Sequence, residues 1–107
     1  MGPRRGEVYL CELDPAVGSE MRKTRPVLVV SPDELNDHAR SCLVAPMTTG
    51  GHPYPFRVAC RFRGASGHVA VDQMRAVDTT RLARRLGRLS TSTTARVLAA
   101  AREMFAD

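Results

Sequence analysis

The stretch from Thr24 to Ser31 constrains the fold of this chain more than any other part of it. Pro26 stands directly before four consecutive apolar residues, Val27–Val30, three of which are β-branched. Such a run is typical of a fully buried strand. Proline has no N–H for a sheet ladder, so it fits the first position of that strand. We therefore predict that Arg25 lies where the chain enters the core.

A second apolar run, Cys42–Met47, has the complementary form. Thr48 and Thr49 follow this run, and a Gly-Gly-His-Pro segment follows them. The pattern predicts a buried strand over 41–48 that leaves the core at the two threonines. If the two strands pair, Arg25 and the hydroxyl of Thr48 meet at one rim of the sheet. The functional interpretation depends on this pairing.

The rest of the pattern predicts short strands with helices at the edges. Phe56, Val58, Cys60 and Phe62 alternate with polar or small residues, which indicates a strand with one inward face. Gly64–Gly67 then predicts a hairpin turn. Further elements are expected as strands over 6–13, 25–30, 68–71, 73–77 and 86–89, helices over 31–40 and 91–105, and a helical turn over 79–85.

Helix ends carry recognisable signals. Ser31, Pro32 and Glu34 form the pattern of a capping box, and Ser90 or a neighbouring threonine stands where it can cap the last helix. In that helix an apolar stripe of Val97, Leu98, Ala101, Met104 and Phe105 is expected to pack on the sheet. The sequence as a whole predicts a mainly β, strongly bent sheet with small helices.

Length and cysteine usage narrow the class of protein. A chain of 107 residues has room for a single domain over 1–107. No apolar run approaches the roughly 18 residues of a membrane span, and the N-terminus lacks a signal-peptide pattern. The three cysteines, at positions 11, 42 and 60, are odd in number and widely spaced. They predict reduced, buried thiols in a cytoplasmic protein without a membrane partner.

The charge is unevenly distributed along the chain. Residues 1–53 contain six Lys or Arg and seven Asp or Glu, whereas residues 54–107 contain ten and four. A net charge of +5 favours an anionic partner. All basic residues except Lys23 are arginine, whose planar fork suits phosphate; a compositional bias explains that preference equally well.

Common catalytic and metal-binding motifs are missing from the sequence. It contains no HExxH, CxxC, P-loop or GxSxG pattern, and its three histidines lie in unrelated segments. We therefore expect no metal and no cofactor.

Arg25 and Thr48 are the strongest candidates for chemistry. Arg25 could stabilise charge on a phosphate during transfer, or could simply pair with Glu20 or Asp72. Thr48 is too weakly basic to take a proton unaided, so we expect it to orient a ribose hydroxyl or bind a phosphate oxygen. Its alternative role is a strand-end hydroxyl bonded to backbone.

Further residues are candidates for binding a substrate around this pair, although each also has an ordinary structural explanation. Glu20 is the best candidate for a general base, and His52 and Tyr54 could stack on an unpaired base. The full set of substrate-binding candidates is Ser19, Glu20, Thr49, His52, Tyr54, Asp72, Gln73 and Arg75. Arg81, Arg84, Arg85 and Arg88 either follow a phosphate backbone or form a solvated face.

Several separated motifs resemble the MazF/PemK family of toxin endoribonucleases. They occur in the family's order over about residues 5–106: Gly6-Glu7-Val8, Gly18-Ser19-Glu20, Thr24-Arg25-Pro26, Ala45–Thr49, Asp72–Arg75 and Leu86–Leu89. Met74 stands where the family more often has isoleucine. The resemblance implies an SH3-like barrel with a C-terminal helix, and it aligns Arg25 and Thr48 with the family's catalytic arginine and threonine.

The activity that the resemblance implies is sequence-specific, metal-independent cleavage of single-stranded RNA, which leaves 2′,3′-cyclic phosphate and 5′-hydroxyl ends. It also implies a homodimer and a cognate antitoxin that binds through an acidic, partly disordered segment. The alternatives are a non-catalytic toxin or binding module on the same barrel, comparable to gyrase inhibitors, and an RNA-binding domain that does not cut.

Overall fold

A computed structural model describes residues 1–14, 23–50 and 55–107. Its strands are β1 (Glu7–Asp14), β2 (Lys23–Val29), β3 (Ser41–Thr49), β4 (Arg57–Phe62), β5 (Ala65–Ala70), β6 (Arg75–Asp78) and β7 (Leu82–Arg88). Its helices are α1 (Asp33–His38) and α2 (Thr91–Met104), with 3₁₀ turns at Val71–Gln73 and Thr79–Arg81. No described helix is both long and apolar enough to cross a membrane.

The strands form one antiparallel sheet in the order β4-β5-β3-β2-β1-β7, and β6 also pairs with β3. The predicted pairing of the two apolar strands is confirmed: Val27, Leu28 and Val29 of β2 lie opposite Pro46, Ala45 and Val44 of β3. The last part of β3, Met47–Thr49, pairs with β5 on the edge away from β2. β3 is thus the strand on which both halves of the sheet meet.

The sheet curves towards a barrel. No ladder joins the edge strands β4 and β7 in the described chain, but side chains link them. The guanidinium of Arg63 donates to the carbonyl of Leu86. The Phe62 ring lies so close to Gly87 that a Cβ there would be 3.1 Å from it. The sheet therefore matches the expected barrel loosely, because side-chain contacts, and not a hydrogen-bond ladder, join the β4 edge to the β7 edge.

The inward face of β4 is confirmed, because Phe56, Val58, Cys60 and Phe62 all pack against the core. The hairpin turn is shorter than predicted. Phe62 pairs with Ala65, so the turn is Arg63-Gly64 alone. Both turn residues have positive φ, 51° and 81°, as a tight two-residue hairpin turn requires.

The capping box predicted for α1 is wrong. Pro32 is the N-cap and no side chain bonds to the helix terminus there. Ser31 is buried and its hydroxyl donates to Asn36 while accepting the N–H of Leu43 at 3.0 Å. Ser31 therefore ties α1 to β3 instead of capping the helix.

The helical turn predicted over 79–85 is also too long. It covers only Thr79–Arg81, and β7 begins at Leu82. The unpaired edge of β1 explains the difference, since Cys11 and Leu10 take Leu82 and Arg84 as strand partners and ladder hydrogen bonds outweigh helix propensity.

The last helix is confirmed with its cap: the Ser90 hydroxyl accepts the N–H of Thr93 at 3.2 Å. Val97 is buried, and Leu98, Ala101 and Met104 pack on the same core. Phe105 was predicted in this stripe but is 75% exposed, because the helix ends at Met104.

Candidate active site

Arg25 and Thr48 lie where β2 and β3 part. The ladder between the two strands ends at Val27 and Pro46, and two further steps in the same register would bring Arg25 opposite Thr48. Beyond that point each residue is paired on the other edge of its strand, Arg25 with Cys11 of β1 and Thr48 with His68 of β5. The two residues therefore belong to diverging strands with a gap between them.

This gap is a cavity of about 520 Å³. Arg25 lines it from β2, and Thr48 and Thr49 line it from β3. Cys60 and Phe62 of β4 and the first residues of β5 form the opposite wall. The structure therefore brings the two candidate residues together in one open cavity, as the strand pairing predicts.

The guanidinium of Arg25 is half-buried and has no hydrogen-bond acceptor among the described residues. No aspartate or glutamate lines the described part of the cavity. An arginine side chain stays protonated at neutral pH. The cavity therefore presents a positive charge that an anionic ligand can neutralise.

Thr48 has the backbone bond that its position at a strand end allowed. Its hydroxyl donates to the backbone carbonyl of His68 at 3.5 Å. This is long beside the roughly 2.7–2.8 Å of a strong O–H···O bond. The hydroxyl is thus weakly held and can turn to a ligand in the cavity.

Gly67, which the sequence analysis treated only as part of a turn, is needed at this site. It lies opposite Thr49 in the ladder of β3 and β5. A Cβ on Gly67 would stand 1.8 Å from the carbonyl oxygen of Thr48. Only glycine permits this approach, so it sets the position of β3 at the cavity. The hairpin register, once known, would have revealed it.

Asp72, Gln73 and Arg75 lie outside this cavity. Asp72 and Gln73 belong to the exposed 3₁₀ turn before β6, and Arg75 begins β6 opposite Val44. Asp72 does not pair with Arg25. It accepts two hydrogen bonds from Arg57, at 2.6 and 3.0 Å, and the first of these holds its pKa below the ordinary value.

The other candidates, Ser19, Glu20, His52 and Tyr54, lie outside the described residues. Within the described part of the chain, no three His, Cys, Asp or Glu side chains are grouped so that they could hold a metal ion. Cys11 and Cys42 are buried and Cys60 half-buried, all as free thiols. Burial raises the pKa of Cys42 to about 11, so that thiol stays protonated.

Three arginines of the basic group, Arg81 in the 3₁₀ turn before β7 and Arg85 and Arg88 on β7, are engaged within the fold. Arg81 donates to the carbonyls of Glu12 and Leu13 at 3.4 and 3.2 Å. Arg88 donates to the carbonyl of Arg5 at 3.0 Å. Arg85 pairs with the buried carboxylate of Glu7. These contacts hold β7 against the N-terminal part of the chain.

Fold and site together define a class: a small, highly curved β-sheet protein with a C-terminal helix and a cationic cavity where two strands part. The family model described as PemK-like, MazF-like toxin of type II toxin-antitoxin system matches residues 4–105. The chain belongs to this family.

Curated relatives are named as endoribonucleases. Endoribonuclease PemK of Escherichia coli is 40% identical over 79 residues, which is 69% of this chain and 59% of PemK. The chain thus matches less than two thirds of the length of that relative. Endoribonuclease MazF9 of Mycobacterium tuberculosis is 37% identical over 97 residues, with 81% and 82% covered.

Solved structures agree with this assignment. MazF (Form-I) from Deinococcus radiodurans superposes with a TM-score of 0.80 at 28% identity, covering 97% of this chain and 96% of that one. A MazE-MazF crystal structure (Form-II) from the same organism gives a TM-score of 0.84 at 28% identity and the same coverage.

Proposed function

We propose that this chain is an endoribonuclease of a type II toxin–antitoxin system, and that the cavity between Arg25 and Thr48 is its active site. It cuts single-stranded RNA at specific sequences without a metal ion. The observation that carries the proposal is an arginine without a described partner and a weakly bonded threonine hydroxyl in one cavity. The endoribonuclease names of the relatives support the reaction class.

The reaction is an internal transesterification. The ribose 2′-oxygen attacks the adjacent phosphorus and loses its proton, and a 2′-O–P bond forms. The P–O5′ bond breaks, and the departing 5′-oxygen takes up a proton. The products are a 2′,3′-cyclic phosphate and a 5′-hydroxyl. Because the nucleophile belongs to the substrate, no activated water is needed.

Each side chain has a role that its environment suits. The guanidinium of Arg25 binds the phosphate oxygens and stabilises the charge that develops on them. The Thr48 hydroxyl accepts a hydrogen bond from the 2′-hydroxyl or donates to a phosphate oxygen, and so orients the nucleophile. Thr49, exposed on the same strand, contacts the substrate beside it. Ser19, Glu20, His52, Tyr54, Asp72, Gln73 and Arg75 are kept as proposed substrate contacts.

The partner is a cognate antitoxin whose acidic, partly disordered segment folds on binding. The excess of basic residues after position 54 supports such a partner, and MazE-MazF structures are among the solved neighbours. The chain acts in the cytoplasm as a homodimer. Phe105 and Leu43, exposed beside an apolar cavity that Met74 and Leu98 also line, offer a surface for the second copy.

The test is cleavage of total RNA by the purified protein in EDTA, with sequencing of the 5′-hydroxyl ends. We expect cuts at a recurring short sequence, undiminished by chelation, and no cleavage of the all-deoxy analogue of a cut site. Loss of activity in EDTA, or equal cleavage of the deoxy strand, would contradict the mechanism.

A further inference from the structure

A second cavity lies beside the proposed active site. Its volume is about 490 Å³. Cys60, Ser66 and Gly67 line both cavities and so form a common wall. The two cavities are therefore adjacent along β4 and β5.

The second cavity is cationic. Arg61 lines it from β4 and Arg96 lines it from α2. Among its described lining residues there is no aspartate or glutamate, while Ser90 and Thr93 contribute hydroxyl groups. Guanidinium groups and hydroxyls without a competing carboxylate favour a phosphate ligand.

One of the two cationic side chains, Arg96, is partly fixed before any ligand arrives. The Nη2 atom of Arg96 donates to the carbonyl of Ala59 and to the hydroxyl of Thr93, at 3.2 and 3.3 Å. Because a guanidinium has five N–H donors, those on Nε and Nη1 remain for a ligand. A side chain already held in place loses less entropy on binding.

His68 is held at the same cavity. Its Nδ1 lies 3.1 Å from the carbonyl oxygen of Gly50. A carbonyl can only accept, so Nδ1 carries the proton. The imidazole therefore has a set orientation next to Gly50, the residue that directly follows β3.

We propose that the second cavity binds the phosphate next to the scissile one in the RNA strand, with Arg61 and Arg96 as its ligands. This inference rests on the proposed function of the neighbouring site. Arg61 and Arg96 are positioning residues, because they hold the strand in register and touch no reacting atom. Their loss weakens binding and raises KM more than it lowers kcat.

The experiment measures binding to a single-stranded RNA that spans a mapped cut and carries a 2′-O-methyl group at the cut ribose. Arg61→Ala and Arg96→Ala are each expected to bind about tenfold more weakly, the low end for a hydrogen bond to a charged group. The slope of log affinity against log salt should become shallower by about 0.7 for each lost phosphate contact. Arg40→Ala, which removes an exposed arginine remote from both cavities, is the matched control.

A set of RNAs with one neutral methylphosphonate at each position in turn identifies the contact. One substitution beside the scissile phosphate should weaken binding to the wild type but not further weaken binding to Arg61→Ala. The proposal would be overturned if the losses from the methylphosphonate and from Arg61→Ala were additive at every position of the RNA. It would also be overturned if Arg61→Ala and Arg96→Ala bound the RNA as tightly as Arg40→Ala does. Arg96→Lys separates a phosphate contact from a structural role, because it should restore part of the salt dependence.

Failure of the proposed function can be told apart from failure of this inference. If no cut is found in total RNA, 2′-O-methyl oligouridylate replaces the mapped RNA in the same measurement. Coupling between Arg61 and one phosphate without cleavage supports the second cavity as an RNA site and overturns the catalytic role of the first. Cleavage without such coupling overturns the second cavity alone.

Discussion

Arg25 and Thr48 would face each other across β2 and β3 if the ladder continued for two more residues, but it ends at Val27 and Pro46. From there β3 pairs with β5 and the two strands separate. The separation opens the cavity of about 520 Å³ that both side chains line. The same divergence therefore creates the site and places both groups in it.

Replacement of Arg25 by alanine should abolish most cleavage. Loss of a donor that stabilises transition-state charge costs about a hundredfold to a thousandfold in kcat, and RNA affinity should fall much less. The measurement is single-turnover cleavage of an RNA spanning a mapped site. The folding stability should be retained, since the guanidinium has no described partner. A variant with wild-type kcat would remove Arg25 from the mechanism.

Gly67→Ala should displace β3 at the active site. The added Cβ would lie 1.8 Å from the carbonyl oxygen of Thr48, so the backbone must shift. We expect a loss of about 1–3 kcal/mol in unfolding free energy, measured by urea titration, and reduced cleavage. Ser66→Ala, which adds no atoms at the neighbouring position, should change stability by less than about 0.5 kcal/mol. Equal stability of the two variants would contradict the close packing at Gly67.

Ser90→Ala should loosen the start of α2. The Ser90 hydroxyl accepts the N–H of Thr93, and loss of such a cap costs about 1 kcal/mol. For a domain of this size that corresponds to a fall of roughly 4–8 °C in Tm, measured by circular dichroism. The adjacent Thr91→Ala removes an exposed hydroxyl of the first helical turn and should leave Tm nearly unchanged.

Glu7→Gln should destabilise the protein in a pH-dependent way. Burial raises the pKa of Glu7, but the bonds from Arg85, the Arg4 N–H and Tyr9 outweigh it, so the pKa lies below its ordinary 4.5. The stabilisation that the ionised Glu7 carboxylate gives to the fold is therefore fully present above pH 4.5. It is lost as the pH falls through the lowered pKa of Glu7 in the folded protein.

At neutral pH we expect Glu7→Gln to cost about 1.5–3 kcal/mol, typical of hydrogen bonds to a charged group. The gap between variant and wild type, measured by urea unfolding across the acid range, should shrink as the pH falls. Arg40→Ala should show no such convergence with the wild type. A gap that stays constant with pH would show that the charge of Glu7 is not what stabilises the fold.

The strand pairing at the centre of this fold could be predicted from local sequence. The Thr48-Thr49 pair marks the end of β3. Pro26 does not open β2 as predicted, because the strand begins at Lys23 on the edge that pairs with β1, and only the ladder with β3 starts after the proline. The parting of the two strands could not be predicted, because there β2 follows β1 and β3 follows β5, and these pairings on the outer edges join segments that are distant in sequence. The short contact at Gly67 has the same origin, since it exists only in that register.

The arginines between positions 81 and 88 show a second limit. Their spacing fits a phosphate-binding strip as well as a solvated face. Arg81 in fact bonds to the carbonyl of Glu12, 69 positions earlier, and Arg85 pairs with Glu7. A local pattern carries no information on partners so distant in sequence, so their structural role required the three-dimensional fold.

The divergence of β2 and β3 has an evolutionary consequence. The separation of the Arg25 guanidinium and the Thr48 hydroxyl is set by main-chain register, because Arg25 is held in a ladder by Cys11 of β1 and Thr48 by His68 of β5. Substitutions of exposed side chains elsewhere leave this register unchanged. The sequence can therefore drift around the cavity while the two groups keep the same separation.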